Sequence, residues 1–470
     1  MIAAYLLQVL NKKSGSLSVR PWYLFKEWPG FCGLSFWEAS CKGMVSMRRV
    51  QITRFMAIFT FLFAVCIPSA DARLYIDITA PILRSIPIEL SPLATTPASF
   101  ENRELAKRVI KILKNDLEFY GYFKPYYSPV DPSDVVLEYQ VAGRLVRSGD
   151  KISVELRLHD ARTGRMLTGR RYRGTRDPYT LRKMAHRFSE LIVEVITGEG
   201  GVSLSKIVFV GASANGRSVY LADFDGYGLE KLVSGPSIKL SPRISPDAQR
   251  LAYTSYKTGR PALYIRNLKD KSTRVLTRYS GINMSPTWHP DGGRLAVTLS
   301  KDGNPDLYLI DLNGKVIRRL TRGRGINCSP SWSPDGRKLV FVSDRYGSPQ
   351  IFVMDVRAGA TQRLTYSGRY NTDPQWSPRG DRIVYVGRSE GLFQIFIISA
   401  EGGDPTQLTY SGNNENPSWS PDGRQILFTS DRLGGKSIFV MDANGRRQRR
   451  LVTLKGQNAL MPFWGPNRFR

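Results

Sequence analysis

Three histidines, four cysteines and a recurring Asp-Gly pair carry the widest chemical repertoire in this chain of 470 residues. Histidine moves protons near neutral pH, a thiolate attacks or binds metal, and regularly placed aspartates can surround a cation. Their spacing supports none of these uses. His159 ends a strand-like run, His186 falls in a helical stretch, and His289 replaces a repeat's serine beside Trp288. Nothing draws the three together, and packing roles are expected. The nearest approach to a nucleophile elbow, Gly211-Ala212-Ser213-Ala214-Asn215, lacks the closing glycine, and no HExxH, phosphate loop or dinucleotide fingerprint occurs. Asp247, Asp291, Asp335 and Asp422 hold one repeated position, which predicts turn chemistry in place of calcium binding. Ser343-Asp344-Arg345 and Ser430-Asp431-Arg432 read as contacts between loops. The expectation is no catalytic residue, no metal and no cofactor.

A binding surface is better supported. Short loops recur at Gly281-Ile282-Asn283, Gly325-Ile326-Asn327, Gly368-Arg369-Tyr370-Asn371 and Gly412-Asn413-Asn414. Arg322, Arg324, Tyr366 and Tyr410 stand in or beside them. Arginine and tyrosine are favoured interface anchors. Asparagine also caps turns locally, and both roles can hold together.

The elements that position these loops come from a repeat. Its core, S-P-x-W-S-P-D-G, appears as Ser241–Ala248 (with Ile244 for tryptophan), Ser285–Gly292, Ser329–Gly336, Asp373–Gly380 (with Arg379 for aspartate) and Asn416–Gly423. A partial copy, Met461-Pro462-Phe463-Trp464-Gly465-Pro466, comes last. The second proline falls at 246, 290, 334, 378, 421 and 466. Each copy continues into short apolar strands such as Leu339-Val340-Phe341 and Ile351-Phe352-Val353, and a closing element such as Arg363-Leu364-Thr365. Four short strands in roughly 44 residues make one propeller blade. Five units are complete. A sixth strand set at Ile207-Val208-Phe209, Val219-Tyr220-Leu221 and Lys231-Leu232-Val233 lacks the motif before it, while the last motif lacks strands after it. The two halves predict a sixth blade made from both ends of residues 201–470. The asparagine loops lead into the innermost strands and should open on one face.

Residues 73–200 lack the repeat. Leu74–Ile78 reads as a strand, Pro81, Pro87, Pro92 and Pro97 mark a proline-spaced stretch, and Phe100–Tyr120 and Tyr179–Ile196 have helical periodicity. Val135–Val146, Lys151–His159 and Arg165–Tyr172 read as strands. The fold class is therefore a six-bladed all-β propeller preceded by a small α+β domain. Upstream, Arg48, Arg49 and Arg54 precede the apolar run Phe55–Ile67 and an Ala70-Asp71-Ala72 site, the pattern of a Sec signal peptide over residues 47–72. Residues 1–46 read as an over-extended start, and the mature chain is expected to begin at Arg73. Cys32, Cys41 and Cys66 precede that cut, so Cys328 alone remains. The formal net charge of +28 is spread along the chain and suits anionic partners.

Taken together, the W-S-P-D-G repeat, the signal and the junction Ala185-His186, Ile192, Thr197-Gly198-Glu199-Gly200-Gly201 and Lys206–Val210 resemble the TolB family. The Leu74–Ile78 start and Ile86-Pro87-Ile88 are similar as well. The resemblance covers residues 73–470. It implies a monomeric periplasmic adaptor, with no nucleic-acid role, that helps to maintain the outer membrane and its constriction at division. It also implies that the lipoprotein Pal is bound around Asn283, Asn327, Arg369, Tyr370, Asn371 and Asn414. TolA would be bound by Arg73, Leu74, Tyr75, Ile76, Asp77, Ile78 and Thr79, and other outer-membrane or peptidoglycan-associated proteins are further candidate partners. Propeller-borne hydrolysis and binding of polyanions or peptidoglycan are the alternatives.

Overall fold

The computed structural model describes residues 85–131, 135–323 and 325–468. The expected signal peptide, the strand at Leu74–Ile78, the segment Arg73–Thr79 and Arg324 lie outside them.

The N-terminal domain is one mixed sheet with two helices on one face. The strands are β1 (Ile86–Leu90), β2 (Ala94–Thr96), β3 (Phe123–Tyr127), β4 (Tyr139–Ser148), β5 (Lys151–Asp160) and β6 (Met166–Thr175). Their order is β3-β1-β4-β5-β6, with β2 added on β4. Helix α1 (Phe100–Tyr120) starts where the Ser99 hydroxyl accepts from Asn102 N–H, and α2 (Pro178–Thr197) starts where Asp177 accepts from Thr180 N–H. Both end on glycines, Gly121 and Gly198, in the left-handed conformation. Alternation along the strands sends Ile86, Ile88, Val141, Leu145, Val154, Leu156 and Leu158 into one core with Leu105, Val109, Leu113, Phe188 and Ile192 of the helices.

Part of the proline-spaced stretch forms a strand, while Pro81 lies outside the described residues. Ile86-Pro87-Ile88 lies in a strand flanked by β3 and β4. Pro87 sits just before the β4 ladder begins at Ile88, and its carbonyl accepts from Glu138 N–H, so the missing donor leaves no gap inside the ladder.

Six four-stranded sheets follow. Blade 2 begins with Lys239–Ile244, blade 3 with Asn283–Trp288, blade 4 with Asn327–Trp332, blade 5 with Asn371–Trp376 and blade 6 with Asn414–Trp419. Blade 1 takes its outer three strands from Lys206–Ser213, Gly216–Asp223 and Glu230–Val233, and its innermost from Asn458–Trp464. Leu460 pairs with Val210, Phe463 with Val208 and Trp464 with Ile207. The ring is thus closed by antiparallel pairing of the two ends of the propeller.

The repeat has a physical reason at each letter. The residue before the first proline is left-handed in all six blades: Ser241, Ser285, Ser329, Asp373, Asn416 and Met461 have φ between 48° and 53°. Each makes a bulge in the innermost strand, where the ladder register shifts. The tryptophan ties blades together where its indole N–H reaches the previous inner strand, Trp288 to the Arg243 carbonyl at 3.0 Å and Trp419 to that of Gln375 at 3.2 Å. The S-P-D-G turn closes through Gly292 N–H to His289 carbonyl, and the same bond recurs at Gly336, Gly380 and Gly423. Proline fixes the second position of that turn. The aspartate accepts from the backbone two residues on, as Asp247 does from Gln249 and Asp335 from Arg337. The repeated acids do serve turns.

The two domains are joined tightly. Phe119 at the end of α1 packs edge-on against Phe224, with ring centroids 4.8 Å apart, and lies 6.1 Å from Trp464. Gln425 donates to the Phe119 carbonyl at 2.7 Å. Glu199 of the junction accepts from Arg379 at 2.6 Å and from Arg424 at 2.9 Å, and Arg182 of α2 reaches Asp225 at 2.6 Å. Gly121 has φ of 83°, a left-handed conformation that favours glycine, and the Arg447 guanidinium lies against it.

Cys328, on the innermost strand of blade 4, is buried, and burial pushes its thiol up to about 12. In a chain beginning at Arg73 it should resist iodoacetamide at pH 8 until urea unfolds the protein. Mass spectrometry of native and unfolded samples checks this, with one adduct expected only in the second.

Candidate protein-docking face

Every innermost strand begins on one face of the ring and ends on the other, in blades 2 to 6 at the turn that follows its motif. The second-to-third strand loops and the loops between blades therefore share the first face. The turns share the opposite one. The N-terminal domain contacts the turn side, through Arg379, Arg424, Arg447 and Asp225. The face carrying the asparagine loops is left uncovered among the described residues.

The structure separates the expected site residues into two layers. Asn283, Asn327, Asn371 and Asn414 come together on this face but are buried. Their amides are used below the surface. Asn327 Nδ2 donates to Asp306 at 2.8 Å, Asn371 Nδ2 to Gln350 at 2.8 Å and Asn414 Nδ2 to Gln394 at 2.8 Å. The same acceptor takes a threonine hydroxyl each time, Thr321, Thr365 and Thr409, all at 2.7 Å. Asn283 has no such acceptor, because Ala262 stands there, and donates to the Tyr279 carbonyl instead. Arg345 and Arg432 cap the outer side by donating to the Asn327 and Asn414 side-chain oxygens at 2.8 and 2.7 Å. The Ser-Asp-Arg segments are loop contacts, as expected. The asparagines therefore shape the face from beneath, a correction to their expected place on the contact surface, because each is buried and spends its amide N–H on an acceptor within the propeller.

The exposed layer is aromatic and cationic. Tyr366, Tyr410 and Tyr346 are 73%, 75% and 70% exposed, and Arg322 and Arg369 are also exposed. The Arg363 guanidinium lies 5.0 Å over the Tyr366 ring. Tyr370 is half-buried beside Phe393, and burial raises its hydroxyl above the ordinary range. Sequence reasoning passed over Tyr346, which follows the Ser343-Asp344-Arg345 segment directly; its place after that repeated motif is the signal that could have found it. It also missed the acceptors Asp306, Gln350 and Gln394. Their signal was the fixed spacing of 15 residues to the following threonine.

The channel narrows to a cavity of about 40 Å³ lined by Ser241, Arg243, Ser285, Ser329, Asp373 and Asn416, which is too small for a sugar or a peptide. The histidines stay apart in use. His186 Nδ1 lies 2.7 Å from buried Asp116, and Ser189 donates to that carboxylate and not to the imidazole. His289 packs edge-on against Trp332.

The fold and this face define a β-propeller protein with a fused α+β domain and one open, tyrosine-rich surface. Residues 193–468 match the family model described as the TolB beta propeller domain, and the chain belongs to the TolB family. It is 38% identical over 222 residues to the Tol-Pal system protein TolB of Desulfosudis oleivorans, spanning 43% of this chain and 50% of that one. It is 39% identical over 224 residues to the TolB homolog of Chlorobium chlorochromatii, spanning 44% and 50%. The chain thus spans about half the length of the curated relatives it matches. The crystal structure of TolB from Acinetobacter baumannii superposes with a TM-score of 0.72 at 27% identity, covering 84% of this chain and 99% of that one. No helix among the described residues is long and apolar enough to cross a membrane.

Proposed function

We propose that this protein is a periplasmic adaptor of a Tol-Pal system and that it acts by binding proteins, not by catalysis. Pal docks on the open propeller face, and the segment Arg73–Thr79 engages TolA, so that the protein helps to hold and constrict the outer membrane at division. The observation that carries the reading is the arc of exposed tyrosines and arginines, uncovered among the described residues, on the side away from the fused domain. Loops positioned by a rigid scaffold are where binding residues concentrate. Occupancy of the face would bias release of the N-terminal segment only if Pal binds the two states with different affinity.

Titration with the soluble domain of Pal tests the site. Tyr410→Ala and Arg369→Glu should each weaken binding by about 10- to 30-fold, the effect of losing an interface anchor. Thermal stability should stay unchanged, because both side chains are exposed. Wild-type affinity in both variants would remove the face as the Pal site. Deleting residues 73–79 should abolish TolA capture while Pal binding persists. Loss of both with the fold intact would count against separate sites.

A further inference from the structure

The two edges of the N-terminal sheet are managed differently. Edge strand β3 is five residues long and carries Pro125, so it cannot pair along its length. Edge strand β6 is ten residues long, has no proline, and pairs only with β5 among the described residues. Its sequence, Met166 to Thr175, holds Arg170, Arg171 and Arg173.

The outer face of the sheet, away from the helices, shows what such an edge selects. Arg144 of β4, Glu155 of β5 and Arg171 of β6 lie directly abreast. The Glu155 carboxylate accepts from Arg144 at 3.1 Å, from Arg171 at 2.8 Å and from Arg157. The three guanidinium groups hold Glu155 down to about 2. Charge thus alternates positive, negative, positive across three strands and stops at an open ladder. The three arginines are about half exposed, at 52%, 47% and 50%. Arg173, two residues along and on the same face, has no ion-pair partner among the described residues. Directly opposed side chains of opposite charge stabilise a strand pair, and like charges destabilise it. A second copy of β6 paired about Arg171 would set arginine against arginine, which is unfavourable. An acidic strand continues the alternation.

We propose that the open edge of β6 takes an acidic, extended segment of a partner protein as an added strand, with an acid-x-acid pair set abreast of Arg171 and Arg173. Main-chain hydrogen bonds to β6 supply affinity, and the two arginines supply register and choice. The surface is separate from the propeller face, and the proposal does not depend on the reading given for that face.

The probe is the peptide acetyl-(Glu-Val)5-amide, titrated into the chain from Arg73 onward. Saturable binding is expected, with slower hydrogen exchange in residues 166–175. The same peptide N-methylated at alternate residues, which cannot complete the ladder, should bind at least tenfold more weakly. So should the unmodified peptide to Arg171→Gln/Arg173→Gln. The N-methylated arm uses the unaltered protein and needs no variant to fold. No saturable binding, equal binding by the N-methylated peptide, equal competition by inorganic polyphosphate, or binding without slower exchange in β6 would each overturn strand addition.

Discussion

A chain ending at Gln457 should lose its cooperative thermal transition, because the ring no longer closes. The deletion removes the innermost strand of blade 1 and leaves Lys206–Ser213 as an open edge. Ala459, Leu460, Met461 and Trp464 are all buried. At about 1.5–3 kcal/mol for each of the three larger side chains, burial there is worth about 5–9 kcal/mol. That is comparable with the whole stability of an ordinary domain, about 5–15 kcal/mol. Specific bonds go as well: the Trp464 indole N–H to Ser205 at 2.8 Å, and Leu204 N–H to Asn467 at 2.9 Å. Calorimetry should show no sharp transition, and the truncated chain should aggregate through the exposed strand. The point variant Trp464→Ala, which keeps the pairing, should fold but lose about 3–5 kcal/mol. A truncated chain that melts like the full one would mean that the ends do not close the ring.

Asp306→Ala should destabilise the protein by about 3–5 kcal/mol, the range for removing one partner of a buried ion pair. Asp306 is fully buried at the start of the third strand of blade 3. Its carboxylate takes Arg319 at 2.6 Å, Thr321 at 2.7 Å and Asn327 at 2.8 Å, and alanine leaves all three donors without it. The loop 322–327 should loosen with it, so that Pal binding weakens although residue 306 touches no surface. Asp306→Gln should cost only about 1 kcal/mol, since Gln350 and Gln394 accept the same threonine and asparagine bonds in the next two blades. Urea titration of both variants separates them. Equal loss in both would show that the charge, not the accepting oxygen, organises the loop.

The ring was legible because each blade repeats the same local chemistry. Proline, aspartate and glycine mark the turn, tryptophan marks the seam between blades, and the spacing of Pro246, Pro290, Pro334, Pro378, Pro421 and Pro466 counts the blades. Closure by Met461–Trp464 followed from two incomplete units that complete each other. Helices α1 and α2 were legible from their apolar faces. Strands β1 and β3 were not, because Pro87 and Pro125 argue locally against strands, and only the neighbouring strands reveal that both prolines sit where no donor is needed. The docking face was legible as a set of loops but not as surface against interior. Asn327 and Arg369 look equally polar in sequence. What buries the first is an acceptor 21 residues earlier, Asp306, and such a pairing across a blade is invisible to any short window. Nor could periodicity foretell that Glu199 would bind Arg379 and Arg424, since that contact depends on where the fused domain docks.

Hydrogen exchange of the chain from Arg73 onward, with and without the soluble domain of Pal, tests the docking face most directly. Slower exchange is expected in the loops at 279–283, 322–327, 366–371 and 410–414, with none in the turns at 289–293, 333–337 and 377–381. Protection of those turns, with the four loops unchanged, would contradict the assignment and put the partner on the other side of the ring.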